Sequence, residues 1–322
     1  MSTRHRFALV LAAGDGTRVR SLTLDAAGVS VPKQFCSLAG SVAGGAKTGD
    51  RSLLSTTLAR AERIVPRPRI TSVVAAQHRQ WWQPDLSHLP SGNVVVQPVN
   101  RGTAVGILLP LLQILRRDPQ ATVLVLPSDH FVADEAVLAR AAIQAVELAE
   151  REPERIVLLG AIPERADPDL GWIVPGTLRG AGVHAVRQFV EKPAPARAAE
   201  LFADGALWNT FLFAARGVTL VRRFERRLPG LVQALRESLS NQGIGDLYAD
   251  LAPTDFSGLL LEGAEEALSL IAVPPCGWND LGTPERIAAQ GQRLVPPAAR
   301  PQTRPRLSLE RPEVWRRLQL AF

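Results

Sequence analysis

Cysteine is nearly absent from the 322-residue sequence: two residues, Cys36 and Cys276, cannot form a disulfide framework or a four-cysteine zinc site. Long apolar runs are missing as well. None approaches the roughly 18–20 residues that cross a bilayer, and the stretch Phe7 to Ala13 runs into a glycine loop instead of a leader cleavage site. The expectation is a cytoplasmic chain with no membrane partner. Lysine is scarce too, standing only at Lys33, Lys47 and Lys192 among 37 basic residues. Where nearly every basic position has become arginine, a surviving lysine marks a place where a compact ammonium is needed. Two of the three sit beside proline, in Pro32-Lys33 and Lys192-Pro193; chance survival accounts equally well for Lys47, in the Gly/Ala-rich stretch Ser41 to Lys47. The net charge of +6 is scattered, concentrating only in Arg222 to Arg227 and in the tail from Arg300. Scattered arginines read as solvated helix faces, so no nucleic-acid partner is expected, and anionic small molecules suit the charge equally well.

What is present is an ordinary globular balance, 46% apolar and 21% charged residues. The first two thirds alternate strand-like with helix-like segments. Phe7 to Leu11 predicts a buried strand ending in a glycine loop, residues 52–65 a helix, and Ile70 to Ala76 and Asn93 to Val96 further strands. An apolar helix is expected over 103–117, ended by Arg116-Arg117-Asp118-Pro119, then a strand at Ala121 to Leu126, a helix over 134–150 and a strand at Ile156 to Gly160. Unbroken apolar strands between helices predict an α/β fold: a Rossmann-like, mixed, mainly parallel sheet covered on both faces. Ligands then bind beyond the carboxyl ends of the strands, which brings the Gly14-Asp15-Gly16 and Pro127-Ser128-Asp129 loops to one pocket. From about residue 165 the pattern is less regular, with strand-like segments such as Val183 to Val190. Residues 1–294 are read as one domain, more regular up to about residue 160 and less so over about 161–294. Residues 295–322 form a Pro/Arg-rich appendage whose end, Trp315 to Phe322, could dock as a short helix.

Residues 11–18 read Leu-Ala-Ala-Gly-Asp-Gly-Thr-Arg. Two glycines let a backbone approach a phosphate and offer free amides. No Gly-Lys-Ser/Thr follows, and Val19 stands where a dinucleotide fingerprint needs its third glycine. With the downstream Pro32-Lys33-Gln34-Phe35, the segment resembles the signature of sugar-phosphate nucleotidyltransferases, and Pro-Lys-Gln-Phe resembles the mannose-1-phosphate guanylyltransferase branch. Gln97 to Ala104, Pro127-Ser128-Asp129-His130, Gly171-Trp172-Ile173, Val190-Glu191-Lys192-Pro193, Leu207-Trp208-Asn209 and Gly277 to Gly282 follow in the family's order. The resemblance covers roughly residues 6–290 and implies that residues 1–294 are a catalytic domain with a nucleotide-binding half over about 1–160 and a sugar-phosphate half over about 161–294.

That resemblance implies attack of a sugar-1-phosphate oxygen on the α-phosphorus of a nucleoside triphosphate. Both reactants are anions, and the attacking oxygen is already ionised. The chemistry therefore needs cations, a divalent metal on carboxylates and loop amides rather than a strong base. Arg18 would meet the β- and γ-phosphates as pyrophosphate leaves, Lys33 the α-phosphate and Lys192 the sugar phosphate. Asp129, at the end of a buried strand, would hold Mg²⁺, with Asp280 as the second ligand that the family implies. The bland alternative for both aspartates is helix capping. Leu11, Ala12, Ala13, Gly14, Gly16 and Thr17 would form the nucleotide loop, with Gln97, Gly102 and Thr103 at the base and ribose. Gly171, Glu191 and Asn209 join Lys192 at the sugar phosphate. Trp172 and Trp208 either flank that pocket or belong to the core, and Asp255-Phe256-Ser257 reads as structural.

The chain departs from the guanylyltransferase branch at Ala13-Gly14, where two glycines are usual, at Gln97, where a glutamate is usual, and at Thr210, where a serine is usual. The linker from Arg18 to Lys33 is also longer. The expected substrates are GTP and mannose-1-phosphate, and a homodimer is what the resemblance suggests. Two alternatives stay open: another base or sugar, such as dTTP or UTP with glucose-1-phosphate, or a non-catalytic subunit that binds a sugar nucleotide. A metal-dependent glycosyltransferase would favour Asp-x-Asp, and Asp129-His130-Phe131 is not that.

Overall fold

In the computed structural model, residues 3–40, 51–241 and 244–297 are described. The Ser41 to Lys47 stretch, Lys47 itself and the tail with Trp315 to Phe322 lie outside them.

The strands are β1 Arg6–Ala12, β2 Ser37–Gly40, β3 Ile70–Ala75, β4 Val94–Gln97, β5 Thr122–Pro127 and β6 Ile156–Ala161, followed by β7 Trp172–Gly180, β8 Val183–Val190, β9 Leu207–Arg216, β10 Leu268–Val273 and β11 Gln292–Val295. Nine of them form one sheet in the order β4-β3-β1-β5-β9-β6-β10-β8-β7, while β2 and β11 make a separate antiparallel pair. The chain steps outward from β1 through β3 to β4, then returns to β5 on the other side of β1. That reversal between β1 and β5 opens a crevice at their carboxyl ends, the place where open α/β sheets bind ligands. Only β8 and β9 run against the rest, so the sheet is mixed and mainly parallel.

Alternation along the strands builds two cores. Ala8, Val10, Leu124 and Leu126 face one cluster, while Phe7, Leu9, Val123 and Val125 face the other. On the first face lie α1 Leu53–Glu62, the short α2 Arg79–Leu86, and further along α4 Glu135–Arg151; on the second lies α3 Gly102–Arg117. Because β1, β3, β5 and β6 are covered on both sides, nearly every residue in them is buried and they lack the apolar–polar alternation of a one-sided strand. The remaining helices are α5 Pro195–Ala203, α6 Gly217–Arg227, α7 Pro229–Asn241, α8 Ile244–Asp250, α9 Phe256–Leu260 and α10 Pro284–Ala289.

Helix starts obey local capping chemistry. Ser52 accepts from the Ser55 amide, Asp134 from the amides of Ala136 and Val137, and Thr283 from that of Arg286. The caps beside the two singled-out aspartates are therefore Asp134 and Thr283, and neither Asp129 nor Asp280 caps a helix.

Strand β9 is bent by a bulge. Its register against β6 shifts between Leu158 and Gly160, where Thr210, Phe211 and Leu212 stand opposite Leu159 alone. The Thr210 hydroxyl stitches this bulge, donating to the Leu159 carbonyl at 2.6 Å and accepting from the Leu212 amide at 3.2 Å. Phe211 takes a left-handed φ of 59° there. The bulge turns Asn209 and Phe211 toward the crevice.

Candidate active site

The crevice is a cleft of about 310 Å³. Its floor begins at the glycine loop. Gly14 has open space around it, whereas Gly16 has φ 63° and a Cβ there would lie 2.9 Å from the backbone nitrogen of Lys33. The loop and the Pro32–Phe35 segment thus need each other. Gln34 completes the link, its amide nitrogen donating to the carbonyls of Ala12 at 3.1 Å and Gly14 at 2.7 Å. Asp15 is clipped from outside by Gln77, His78 and Asn100, each at 3.3 Å. Arg18, one turn on, is exposed, lines the cleft and forms no ion pair among the described residues.

The second loop lies alongside because β1 and β5 pair in register, Leu11 against Pro127. Ser128 closes the join, its hydroxyl donating to the Leu11 carbonyl at 2.6 Å. Asp129 follows, 39% exposed, with Oδ2 at 3.0 Å from Lys33 Nζ and Oδ1 at 3.6 Å from His130 Nε2. Burial pushes the Asp129 carboxyl up, but the Lys33 ammonium and then His130 outweigh it, leaving the group below its ordinary value. Burial also pushes the His130 ring down to about 4, so it is neutral at pH 7.

At the far end, Gly171, Glu191, Lys192 and Asn209 converge. A Cβ on Gly171 would lie 2.7 Å from Glu191 Oε2 and 3.2 Å from Asn209 Cβ. Lys192 has φ 44°, and its Nζ stands 3.3 Å from Glu191 Oε1. Asn209 accepts from the Phe211 amide through Oδ1, which leaves its Nδ2 donors for a ligand. Burial raises the Glu191 carboxyl, Lys192 opposes, and Asp255 adds to the rise.

The chain matches the family model described as "Nucleotidyl transferase" over residues 7–294. It belongs to the nucleotidyl transferase family. Among curated relatives it is 28% identical to mannose-1-phosphate guanylyltransferase 2 of Escherichia coli O157:H7, over 88% of this chain and 59% of that one. It is 29% identical to the xanthan biosynthesis protein XanB of Xanthomonas campestris pv. campestris, over 85% of this chain and 57% of that one. The chain therefore spans a little over half the length of these relatives. Among solved structures it resembles one described as mannose-1-phosphate geranyltransferase from Thermus thermophilus, with TM-score 0.75, 27% identity, and coverage of 89% of this chain and 79% of that one.

One cleft gathers Leu11, Ala13, Gly14, Arg18, Gln97, Gly102, Thr103, Asp129, Gly171, Glu191, Lys192, Asn209 and Asp280 from the sequence expectation. Ala12, Gly16, Thr17 and Lys33 do not line it; Ala12 and Lys33 are buried behind it, and Thr17 is exposed beside it. Lys33 is buried, and besides Asp129 its ammonium reaches the carbonyls of Asp280 at 2.5 Å and Leu281 at 3.2 Å. Gly102, with φ 83°, makes room for the chain itself: a Cβ would lie 2.3 Å from the Thr254 carbonyl oxygen. Thr103 likewise donates to Asp255 at 3.1 Å and accepts from the Phe256 amide, so Asp255, read from sequence as structural, both caps α9 and lines the cleft. Trp172 and Trp208 meet edge to face in the core behind the site, at 6.2 Å between centroids, while Trp278 lines the cleft.

Three contributors have roles that the sequence alone does not assign. Gln34 is one. Tyr248 donates to Gln97 Oε1 at 2.9 Å, fixing the amide of a fully buried side chain whose Nε2 has no partner among the described residues. Arg286 binds the Asp280 carboxylate through Nη1 at 2.9 and 2.7 Å. A polar residue at the start of a helix opened by Thr-Pro-Glu was the only available signal, and it does not say which way the side chain folds.

The expected magnesium can be weighed against these donors. Mg²⁺ takes one or two carboxylates and completes its shell with water and phosphate oxygens. Asp129 fits, being partly exposed with one oxygen facing only a neutral imidazole. Asp280 sits differently, with both oxygens engaged by a guanidinium.

Proposed function

We propose that the chain transfers a nucleotidyl group from a nucleoside triphosphate to a sugar-1-phosphate in a Mg²⁺-dependent reaction, with GTP and mannose-1-phosphate as the favoured pair. The observation that carries this reading is one cleft with a glycine loop and Arg18 at one end, Glu191, Lys192 and Asn209 at the other, and Asp129 between. The relatives' names supply the sugar and the base.

A phosphate oxygen of the sugar forms the new bond to the α-phosphorus, the α–β bridging bond breaks, and the electron pair leaves on pyrophosphate. The chain's work is positioning and charge. Arg18, free of any carboxylate among the described residues, meets the charge that grows on the leaving pyrophosphate. Lys192 offsets the incoming phosphate while Glu191 and the Asn209 Nδ2 donors take sugar hydroxyls. Lys33 acts from below, holding Asp129 ionised and fixed. A magnesium ion on Asp129, when bound, neutralises phosphate charge and orders the triphosphate. The Gln97 amide nitrogen suits a base carbonyl, which guanine, uracil and thymine all present.

The test is pyrophosphate release with Mg²⁺ for GTP, dTTP, UTP, CTP and ATP against mannose-1-phosphate and glucose-1-phosphate. Release with GTP and mannose-1-phosphate alone is the expected result. Release with dTTP or UTP and glucose-1-phosphate would keep the mechanism and replace the pair, as Ala13 and Gln97 allow. Binding without release anywhere would return the chain to the class of non-catalytic subunits.

A further inference from the structure

The Asp280 side chain is built into the wall of the cleft. Besides the two bonds from Arg286 Nη1, its Oδ1 accepts from the Gly282 amide at 3.1 Å. The other edge of the same guanidinium is spent on Asp167, with Nε donating to Oδ2 at 3.0 Å and Nη2 donating to Oδ1. Asp167, Asp280 and Arg286 are 5%, 7% and 3% exposed. Gly282 closes the packing: a Cβ there would stand 2.3 Å from Asp280 Oδ2 and 2.6 Å from Arg286 Nη1. Behind Asp280 lies a cavity of about 10 Å³ bounded also by Arg286, Trp208 and Trp278, large enough for one water.

The backbone of the same turn has a second task. Leu281 takes φ 51°, its amide donating to Asn279 Oδ1 at 2.7 Å. The carbonyls of Asp280 and Leu281 seat the Lys33 ammonium, whose remaining contact is Asp129. A line of contacts therefore runs from Asp167 through Arg286, Asp280 and its carbonyl to Lys33 and Asp129.

We propose that Asp167, Arg286 and Asp280 form a positioning latch that seats Lys33 on Asp129, and that the divalent cation is carried by Asp129 as its one protein carboxylate. The electrostatics favour this division. A cation brought to Asp280 meets a guanidinium already 2.7 Å from the carboxylate, in a buried setting where like charges repel strongly. At Asp129 the Lys33 ammonium takes one oxygen at 3.0 Å, while the other has the His130 ring no nearer than 3.6 Å and belongs to a side chain left 39% exposed to the cleft. The inference rests on the reading of the chain as a metal-dependent nucleotidyltransferase, but its test does not need the right substrates.

Mn²⁺ uptake by the full chain, followed by loss of the free-ion EPR signal with inorganic pyrophosphate present, separates the two aspartates. Asp129→Asn is expected to weaken Mn²⁺ at least tenfold. Asp280→Asn is expected to hold Mn²⁺ within about threefold of wild type while lowering the melting temperature. Arg286→Gln, which frees the Asp280 carboxylate, is expected to tighten Mn²⁺ severalfold. Should Asp280→Asn fail to fold, the paired Asp280→Asn/Arg286→Gln variant loses both charges together and carries the same comparison. The proposal is overturned if a folded Asp280→Asn protein loses Mn²⁺ as Asp129→Asn does, if Arg286→Gln leaves affinity unchanged, or if the wild-type chain takes up no Mn²⁺. Wrong substrates would leave all these affinities in place and show only in the pyrophosphate-release experiment.

Discussion

At Gly171 there is no room for one more carbon, since a Cβ would press on Glu191 Oε2 at 2.7 Å and on Asn209 at 3.2 Å. Gly171→Ala should therefore push Glu191 out of place and raise KM for the sugar phosphate about tenfold or more, roughly 1.4 kcal/mol of lost binding. KM for the triphosphate should stay within about twofold; equal losses for both substrates would show that Gly171 supports the whole cleft. His130 gives a second test at this scale. Burial holds its ring down to about 4 against an ordinary 6.5, so the unfolded chain binds a proton that the folded chain refuses between those values. Stability from this residue is thus complete above about pH 6.5 and falls by up to about 1.4 kcal/mol per pH unit toward pH 4. His78 is shifted downward by burial as well, against the pull of Asp15, and adds in the same direction. Urea unfolding at pH 7, 6 and 5 should show a shallower acid slope in His130→Gln; an unchanged slope would remove His130 from the account. Residues of this kind were legible where a motif places a small or charged side chain on a loop, as with Gly14, Arg18 and Asp129. Gln34, Tyr248 and Arg286 escaped because their meaning lies in partners 20, 151 and 119 residues away.

Among the elements, α1 and α4 are joined across the first core by Arg60, whose side chain is 1% exposed and whose guanidinium donates two bonds to Glu135, each at 2.8 Å. Arg60→Met strands that carboxylate and should cost on the order of 2 kcal/mol, below the roughly 3–5 kcal/mol of a fully buried pair because Glu135 keeps some solvent. The double variant Arg60→Met/Glu135→Gln should recover part of the loss in chemical denaturation, and strictly additive losses would mean the pair is not coupled. The bulge in β9 makes a sharper claim. Thr210→Val keeps the shape but removes the hydroxyl that serves Leu159 and Leu212, leaving a buried carbonyl and a buried amide short of a partner. A loss of about 1–3 kcal/mol is expected, together with weaker sugar-phosphate binding as Asn209 drifts; full stability in Thr210→Val would show that the bulge is held by packing alone. Periodicity found β1, β3, β4, β5, β6, α1, α3 and α4 because each is a buried run or a regular apolar face. It had less purchase on β7, β9 and β10, where glycine, proline, tryptophan and the bulge interrupt the pattern. The pairing of β2 with β11, Ser37 against Val295, joins segments that no local signal connects.

On the scale of the whole molecule, the strand order interleaves what the sequence lays out in series. The first half, up to about residue 160, contributes β4-β3-β1-β5 and also β6, yet β9 from the later half sits between β5 and β6. A fragment ending at residue 161 would leave β5 with an open edge and β6 with no neighbour, since both of its partners, β9 and β10, are missing. It would also lose Leu212, Phe213 and Ala214, which are buried in the two cores. Unpaired, apolar strand edges of this kind recruit other chains. The fragment 1–161 is thus expected to aggregate or show no cooperative melt, while the full chain unfolds in one transition; a soluble fragment with a sigmoidal melt would mean that β9 is dispensable to the first half. The same interleaving ties the two ends of the cleft together. Asp129 follows β5, Asn209 and Phe211 project from β9, and β5 and β9 are hydrogen-bonded neighbours from Thr122 against Arg216 to Val125 against Phe213. Ordering of the triphosphate end should then be felt along β9. GTP with Mg²⁺ is expected to slow amide hydrogen exchange in β9 as well as in the glycine loop, before any sugar phosphate is added, and protection confined to the loop would show the two ends of the cleft to be mechanically independent.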